Sequence, residues 1–296
     1  MRFGYNKGMS SLAPHRSVKI VTDSAADLPP ALAARWGIHV VPLRVEIDGQ
    51  SYRDGVDLSG EELYRRMRAS RNLPTTSQPA LGELQQIYQT LTADGSDVVS
   101  VHLSSGLSGT YNVAALAAED DSLRPGAVRV VDSQALSMCV GWIALLGAQA
   151  AQAGADATAV VALMDELRGR VRILGVLDTL DYVQRGGRLG LASAFLGTML
   201  SIKPILHMKE GTAAPMERVR TWARAMQRLV ELTAGFGPLQ ALAVMHGDAP
   251  AQAAQLADML APLYPRADIV LTHIGAGLGV HVGPGAVGLG CVLAKP

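Results

Sequence analysis

The stretch SDVVSVHLSSGLSGTYNVAALAAE, residues 96–119, decides the fold class. It predicts a buried strand over residues 98–103, a Ser/Gly turn over 104–109, and a helix that begins at Thr110. A helix N-terminus presents unpaired N–H donors and about half a positive charge. Because hydroxyl side chains and close-approach glycines surround this helix start, the stretch predicts a site for a phosphate or a carboxylate.

Outward from this stretch, apolar strands alternate with amphipathic helices through the first half of the chain. This alternation predicts βαβ units and a mostly parallel sheet with flanking helices. Asp27 is expected to cap the first of these helices. The predicted elements are strands at 18–21, 39–47 and 128–131 and helices at 30–36, 60–70, 81–93 and 138–153, with a polar loop at 73–80.

Ligands of parallel sheets bind beyond the carboxyl ends of the strands. Three predicted strands end in polar residues, so we expect one crevice along that edge. These residues are Thr22, Asp23 and Ser24, then Ser104 and Ser105, then Asp132 and Ser133.

Beyond residue 156 the pattern changes, because a Glu210-Gly211 turn between two apolar runs predicts a hairpin. Hairpin strands mixed with helical crossovers predict a mixed sheet. We therefore predict an α/β protein of two domains with the ligand between them. The predicted parts are a flexible extension at 1–17, an N-terminal α/β domain at 18–156, and a C-terminal α/β domain at 157–296.

Composition limits the classes of function. Of the 296 residues 49% are hydrophobic and 18% charged, which is enough apolar material for two cores. The net charge of zero argues against nucleic acid and acidic membrane surfaces as partners. Cys139 and Cys291 are expected to be buried free thiols, and no motif suggests a metal. Neither a membrane span nor a secretory signal is predicted, and a bacterial-type cytoplasm is the expected setting.

Ser108 raises an enzymatic alternative. The segment GLSGT resembles the G-x-S-x-G nucleophile turn of hydrolases, but Thr110 stands where the second glycine is required. His102 lies in a predicted strand and His281 is distant in sequence, so no general base is evident. The G-x-G-x-x-G match at 283–288 precedes a strand, not a helix, and no P-loop is present, so neither nucleotide motif applies.

Three further features leave alternatives open. His281 stands in a glycine-rich segment predicted to be a loop, where it could approach a ligand. Arg185 and Arg188 flank a double glycine, which is typical of a helix C-terminus, although Arg188 could also face a cleft. The apolar run at 189–206, helical at 191–200, could be plain core or the lining of a tunnel for an aliphatic chain.

Eight segments, in order, resemble the DegV family of bacterial fatty-acid-binding proteins. They cover nearly the whole chain beyond the N-terminal extension. The segments are VKIVTDSAADLP (18–29), TTSQPA (75–80), SSGLSGTYNVA (104–114), VVDSQALSMCVG (130–141), LDYVQRGGRLG (180–190), KPIL (203–206), ERVRTWARA (217–225) and GVHVGPGAVG (279–288).

The resemblance implies that one long-chain fatty acid, such as palmitate, is buried between two α/β domains, without a metal or another cofactor. It implies that Thr76, Ser108 and His281 hold the carboxylate, with Arg188 in the same region. Ser105 and Gly109 of the turn are expected to contribute to that site. The acyl chain is expected against an apolar set comprising Phe195, Leu196, Met199 and Ile202.

The resemblance also implies a role as the non-catalytic binding subunit of a fatty acid kinase in phospholipid metabolism. A separate ATP-using subunit would form the acyl phosphate, and Arg220 is implied as a contact with it. Ala80 departs from the family pattern, where serine is frequent. A serine hydrolase or acyltransferase using Ser108 is the alternative. A sugar binder like dihydroxyacetone kinase is weaker, because the 189–206 run has little polarity.

Overall fold

The computed structural model describes residues 16–69, 73–195 and 202–295, and within these ranges the chain forms three β-sheets. The strands are β1 (Val18–Asp23), β2 (Ile38–Val41), β3 (Arg44–Ile47), β4 (Gln50–Arg53), β5 (Thr75–Ser77), β6 (Asp97–His102), β7 (Val128–Asp132), β8 (Val171–Val176), β9 (Lys203–Lys209), β10 (Thr212–Val219), β11 (Leu239–His246), β12 (Val270–His273) and β13 (Val287–Leu293). The helices are α1 (Pro30–Arg35), α2 (Gly60–Ala69), α3 (Leu81–Thr92), α4 (Thr110–Ala118), α5 (Met138–Gln152), α6 (Ala157–Arg170), α7 (Asp181–Arg185), α8 (Trp222–Ala234), α9 (Pro250–Leu260) and α10 (Ala276–Val282). Short 3₁₀ turns cover Ser24–Ala26, Gly190–Phe195 and Arg266–Asp268.

The first sheet is parallel throughout, with the strand order β2-β1-β6-β7. Its central strand β6 leads into the Ser/Gly turn, and α4 begins at Thr110, as the sequence predicts. Helices cover both faces of this sheet, and Val98, Val99 and Val101 of β6 are fully buried. The predicted parallel sheet is therefore confirmed.

The second sheet is mixed, with the order β10-β9-β8-β13-β11-β12. Only the β11–β12 pair is parallel among its described pairings. The predicted hairpin joins β9 and β10, and its turn residues Glu210 and Gly211 have φ values of 50° and 74°. The predicted mixed sheet is confirmed, and with it the two-domain α/β fold.

The sequence predicts only part of the third, small sheet: the Asp48-Gly49 turn indicates the hairpin of β3 and β4, whereas β5 is not expected. The sheet has the order β4-β3-β5 and is antiparallel. The single strand expected at 39–47 is wrong: it divides into β2 and β3, because Pro42 lacks the N–H that a continuing ladder needs. The segment predicted as a polar loop contains β5, where Thr76 pairs with Val45.

Helix α10 replaces the loop predicted around His281. Gly275 precedes the helix, and three of its seven residues, Ala276, Gly277 and Gly279, are alanine or glycine, which lets neighbouring groups approach closely. A Cβ atom on Gly279 would lie 2.7 Å from the Tyr64 hydroxyl, and one on Gly277 would lie 2.8 Å from Asp54 Oδ2. Tertiary contact therefore outweighs the ~1 kcal/mol by which each glycine disfavours a helix.

The two large sheets share a core. Helix α5 packs against β1 of the parallel sheet and also against β8 and β13 of the mixed sheet. Asp156 caps α6 by accepting a hydrogen bond from the Ala159 N–H at 2.8 Å.

The domain boundary at 156/157 stays a prediction, and residues 1–15 of the predicted extension lie outside the described residues. No helix in the described ranges is long and apolar enough to cross a membrane.

Candidate functional site

A cavity lies between the turn that follows β6 and the face of the mixed sheet. Its volume is about 140 Å³, counted as space open to the centre of a water-sized sphere. One water needs only ~10–15 Å³ by this measure, so the cavity has the size for an organic ligand. Most of its wall is apolar, contributed by side chains such as Ile173, Leu177, Leu206, Met208, Met245 and Leu278.

Four predicted residues meet in the wall of this cavity: Thr76, Ser108, Arg188 and His281, here called the polar cluster. Thr76 Oγ1 on β5 and His281 Nε2 on α10 are 2.8 Å apart, although 205 positions separate them in sequence. Burial, reinforced by the positive charge of Arg188, lowers the pKa of His281 to about 4. The imidazole is therefore neutral at pH 7, with one nitrogen a donor and the other an acceptor.

Gly186 gives the imidazole its space. A Cβ atom on Gly186 would lie 2.3 Å from His281 Nδ1, well inside any allowed contact. Gly186 has an ordinary φ of −72°, so space and not backbone conformation demands glycine there. The next residue, Gly187, has a φ of 70° and an open surrounding, so it is needed for the turn instead. The double glycine thus does more than end α7.

Arg188 joins the turn after β6 to the segment beside His281. Its Nη1 donates to the Gly186 carbonyl at 2.7 Å, and its Nε donates to the Leu107 carbonyl at 3.3 Å. The side chain is half-buried and lines the cavity. Its guanidinium keeps further donors, which match the oxygens of a carboxylate.

Ser108 lines the cavity at the start of α4 but has no base beside it. Its Oγ is 2.9 Å from Thr110 Oγ1 and accepts from the Thr110 N–H at 3.3 Å. His102 is engaged elsewhere, since it lies 2.7 Å from Ser100 Oγ and 3.0 Å from Asp23 Oδ2. That buried Ser–His–Asp chain has no exposure to solvent or cavity.

Ser105 and Gly109 are not brought into the cavity wall. Ser105 is exposed, and its Oγ donates to Asp132 Oδ2 at 2.6 Å. A Cβ atom on Gly109 would face the Gln78 side chain at 3.5 Å. Their predicted contact with a carboxylate therefore gains no geometric support.

The predicted acyl lining is only partly described. Ile202 is half-buried and is not among the lining residues. The side chain of Phe195, with Leu196 and Met199, lies outside the described residues. The described apolar wall comes instead from β8, β9, β11 and α10. Ile173 and Gly175 of β8 and Leu177 just after it line the cavity at alternate positions, and this two-residue period was the available signal.

Two buried carboxyl groups hold the start of α10, and the sequence did not reveal them. Asp27 Oδ1 accepts from the Gly275 N–H at 2.7 Å, and Asp54 Oδ1 accepts from the Ala276 N–H at 2.8 Å. The predicted cap of Asp27 on α1 is wrong, because its carboxyl turns toward α10. Burial raises the pKa of Asp27 to about 8. These contacts fix the helix that carries His281.

Arg220 is exposed between β10 and α8, away from the cavity lining. Thr221 next to it caps α8 by accepting from the Arg224 N–H at 3.2 Å. Within the described ranges no three His, Cys, Asp or Glu side chains are grouped to hold a metal ion.

Fold and site together define a two-domain α/β protein with an internal, mainly apolar cavity that carries a polar cluster in its wall. A family model described as "Uncharacterised protein, DegV family" matches residues 17–294. The chain belongs to the DegV family, which confirms the resemblance seen in the sequence.

Individual relatives agree with this assignment over their whole lengths. Protein DegV of Bacillus subtilis (strain 168) is 35% identical over 277 residues, which cover 92% of this chain and 98% of the relative. A DegV family structure from Thermus thermophilus, described as fatty acid binding, has a TM-score of 0.87 at 33% identity and covers 94% and 100%. The structure of the fatty acid binding protein DegV from Bacillus subtilis has a TM-score of 0.83 at 34% identity, covering 94% and 99%.

Proposed function

We propose that the protein binds one long-chain fatty acid, such as palmitate, with its carboxylate at the polar cluster and its chain in the apolar cavity. The observation that carries the proposal is the meeting of Thr76, Ser108, Arg188 and His281 in an otherwise apolar wall. The fatty acid binding described for the relatives from Thermus thermophilus and Bacillus subtilis supports it. The ligand would lie between the predicted domains 18–156 and 157–296.

The energetics favour such a ligand. Burying an acyl chain of about 16 carbons at ~0.8 kcal/mol per methylene contributes on the order of 10 kcal/mol before the costs of binding. A buried carboxylate needs hydrogen-bond donors. The hydroxyls of Thr76 and Ser108 and the guanidinium of Arg188 can supply them, while a neutral His281 can donate from one nitrogen.

Extraction of the purified protein and mass spectrometry of the extract test the proposal. A long-chain fatty acid in near-stoichiometric amount is expected. The double variant Thr76→Ala, Ser108→Ala should lose most of it while keeping its circular dichroism spectrum. Equal retention by this variant would exclude the polar cluster as the carboxylate site.

We further propose that the protein acts in the cytoplasm and presents the bound carboxylate to a separate ATP-dependent kinase subunit, without catalytic groups of its own. The sequence resemblance supports this role, and Arg220 is exposed, as a partner contact requires. Arg220→Ala should leave fatty acid binding unchanged and slow acyl phosphate formation by the reconstituted pair. An unaltered rate would remove Arg220 from the interface.

The alternative, a hydrolase or acyltransferase using Ser108, has a direct test. A serine-reactive fluorophosphonate should label an activated nucleophile and fail to label Ser108→Ala. We expect no labelling, because Ser108 Oγ contacts Thr110 and no imidazole.

A further inference from the structure

Gln78 stands at the mouth of the cavity. It lines the cavity together with the polar cluster, but it is exposed to solvent, whereas the four members of the cluster are half-buried. Gln78 follows β5, two residues after Thr76, and Pro79 restricts it to an extended backbone. Side chains at alternate positions of an extended segment point to the same side. Gln78 and Thr76 therefore face the same end of the cavity.

The amide group of Gln78 lies flat against Gly109, the residue that precedes α4. A Cβ atom on Gly109 would lie 3.5 Å from Cδ, 3.5 Å from Oε1 and 3.7 Å from Nε2 of Gln78. Nearly equal distances to three atoms of a planar group mean that its face, not its edge, contacts the glycine. The hydrogen-bonding edge is left open beside Ser108, which adjoins Gly109 and lines the cavity. No hydrogen-bond partner of this amide is found among the described residues.

The polar cluster leaves room for another donor. An ionised carboxyl group has about four positions that accept hydrogen bonds, and part of the donor capacity of the cluster is already used. One hydrogen joins Thr76 Oγ1 to His281 Nε2. A second joins Ser108 Oγ to Thr110 Oγ1, and Arg188 donates twice to backbone carbonyls. The mouth of the cavity is thus a position where an additional donor can complete the contacts of a bound carboxylate.

We propose that Gln78 is a further ligand-binding residue, whose amide donates an N–H to the bound carboxylate and covers it on the solvent side. The proposal rests on the proposed fatty acid binding, and it makes Gln78 a residue that selects acids over uncharged head groups. A hydrogen bond to an ionised acceptor is about twice as strong as one between neutral groups. Loss of the amide therefore weakens a fatty acid more than the alcohol of the same chain.

Competition titrations with delipidated protein and a fluorescent fatty acid test this role. The ligands are hexadecanoic acid and hexadecan-1-ol, which differ only in the head group, at about pH 8, where carboxyl groups are ionised. Gln78→Glu keeps the size of the side chain and replaces its donors by a negative charge. It should weaken the acid about 10-fold or more and leave the alcohol unchanged or tighter, because a carboxylate repels the acid but accepts from a hydroxyl.

Gln78→Leu separates the hydrogen bond from the added charge. This variant has a similar volume without donors or acceptors, so the acid should bind about 10-fold more weakly and the alcohol should change less. Gln86→Glu and Gln86→Leu are the matched controls. Gln86 is an exposed glutamine of α3 outside the cavity wall, so its variants should change neither ligand. If the Gln78 variants affect both ligands equally, or neither, the proposal is overturned.

The amide itself gives a second measurement, which does not depend on the affinities of variants. The nitrogen–hydrogen NMR signals of the Gln78 side chain are assigned by their loss in Gln78→Leu. Saturation of the wild type with hexadecanoic acid should shift one of the two signals to lower field, because a new hydrogen bond forms, and leave those of Gln86 in place. Unshifted Gln78 signals in the saturated protein would also overturn the proposal.

The two proposals fail in different ways. If the wild type binds neither ligand, fatty acid binding is refuted together with the role of Gln78. If the wild type binds hexadecanoic acid and the Gln78 variants retain its affinity, only the role of Gln78 is refuted.

Discussion

Replacing Gly186 by alanine should disable the polar cluster through a single methyl group. The new Cβ atom would lie 2.3 Å from Nδ1 and 3.0 Å from Cε1 of His281. Ordinary contacts between such atoms lie at ~3.5 Å, so the imidazole must move by about 1 Å. The Tyr182 carbonyl oxygen lies 3.1 Å from the same Cβ position, so the alanine has little room to move away from the imidazole.

The expected loss of affinity follows from the bond that this shift breaks. His281 Nε2 and Thr76 Oγ1 are 2.8 Å apart, and a displacement of this size takes them out of hydrogen-bond range. The same shift takes the imidazole away from the proposed carboxylate, and a hydrogen bond to a charged group contributes ~1.5–3 kcal/mol. Fatty acid affinity should therefore fall roughly 10- to 100-fold, with an overpacking cost in stability of ~1–3 kcal/mol.

Gly187→Ala is the matched control in the next position. No atom lies within 4 Å of its Cβ position, but its φ of 70° strains any residue other than glycine. It should lose ~1 kcal/mol of stability and keep its fatty acid affinity. Titration calorimetry gives the affinities, thermal unfolding gives the stabilities, and the His281 imidazole NMR signal reports the displacement. Wild-type affinity and an unshifted His281 signal in Gly186→Ala would refute the reasoning.

Three further predictions concern buried titratable groups. Burial lowers the pKa of His281 from 6.5 to about 4, so the stability that it contributes above pH 6.5 is lost as the pH falls toward 4. His281→Gln should flatten this part of the urea-midpoint profile, and an unchanged slope would contradict it. Burial raises the pKa of Asp27 from 3.8 to about 8, so its contribution is full below pH 3.8 and is lost as the pH rises through 8. Asp27→Asn should therefore unfold at urea midpoints that differ less between about pH 5 and pH 9 than those of the wild type. Burial also raises the pKa of both cysteine thiols, to about 12 for Cys291. Ellman's reagent should find no reactive thiol in the folded protein and two in urea, whereas rapid reaction without urea would argue against the buried positions.

Local patterns were enough for the architecture. Strand and helix periodicity around residues 96–119 predicted the parallel sheet and the helix start at Thr110, and the Glu210-Gly211 turn predicted the hairpin. Each of these features depends on neighbours in sequence, where side-chain period and turn conformation act directly. The ordered motifs identified the family and the four residues of the polar cluster.

The misplaced elements depend on distant contacts. Glycine content predicted a loop around His281. Helix α10 forms instead because Asp54 and Tyr64 pack closely against its residues Gly277 and Gly279. The strand β5 needs β3 as its partner. Its three polar residues contain no hydrophobic pattern that would predict this pairing. Local propensity is a weak preference, which tertiary packing overrides.

By itself the sequence determined the alternation of strands and helices, the mixed second sheet and the candidate residues Thr76, Ser108, Arg188 and His281. Only the tertiary structure decided that these four residues meet in one cavity wall, that Gly186 makes room for the imidazole, and that Asp27 faces α10 and Ser137 instead of α1. The physical reason is burial. Propensities and turn signals act over a few residues, whereas the desolvation of a carboxyl group or an imidazole depends on every segment that packs around it.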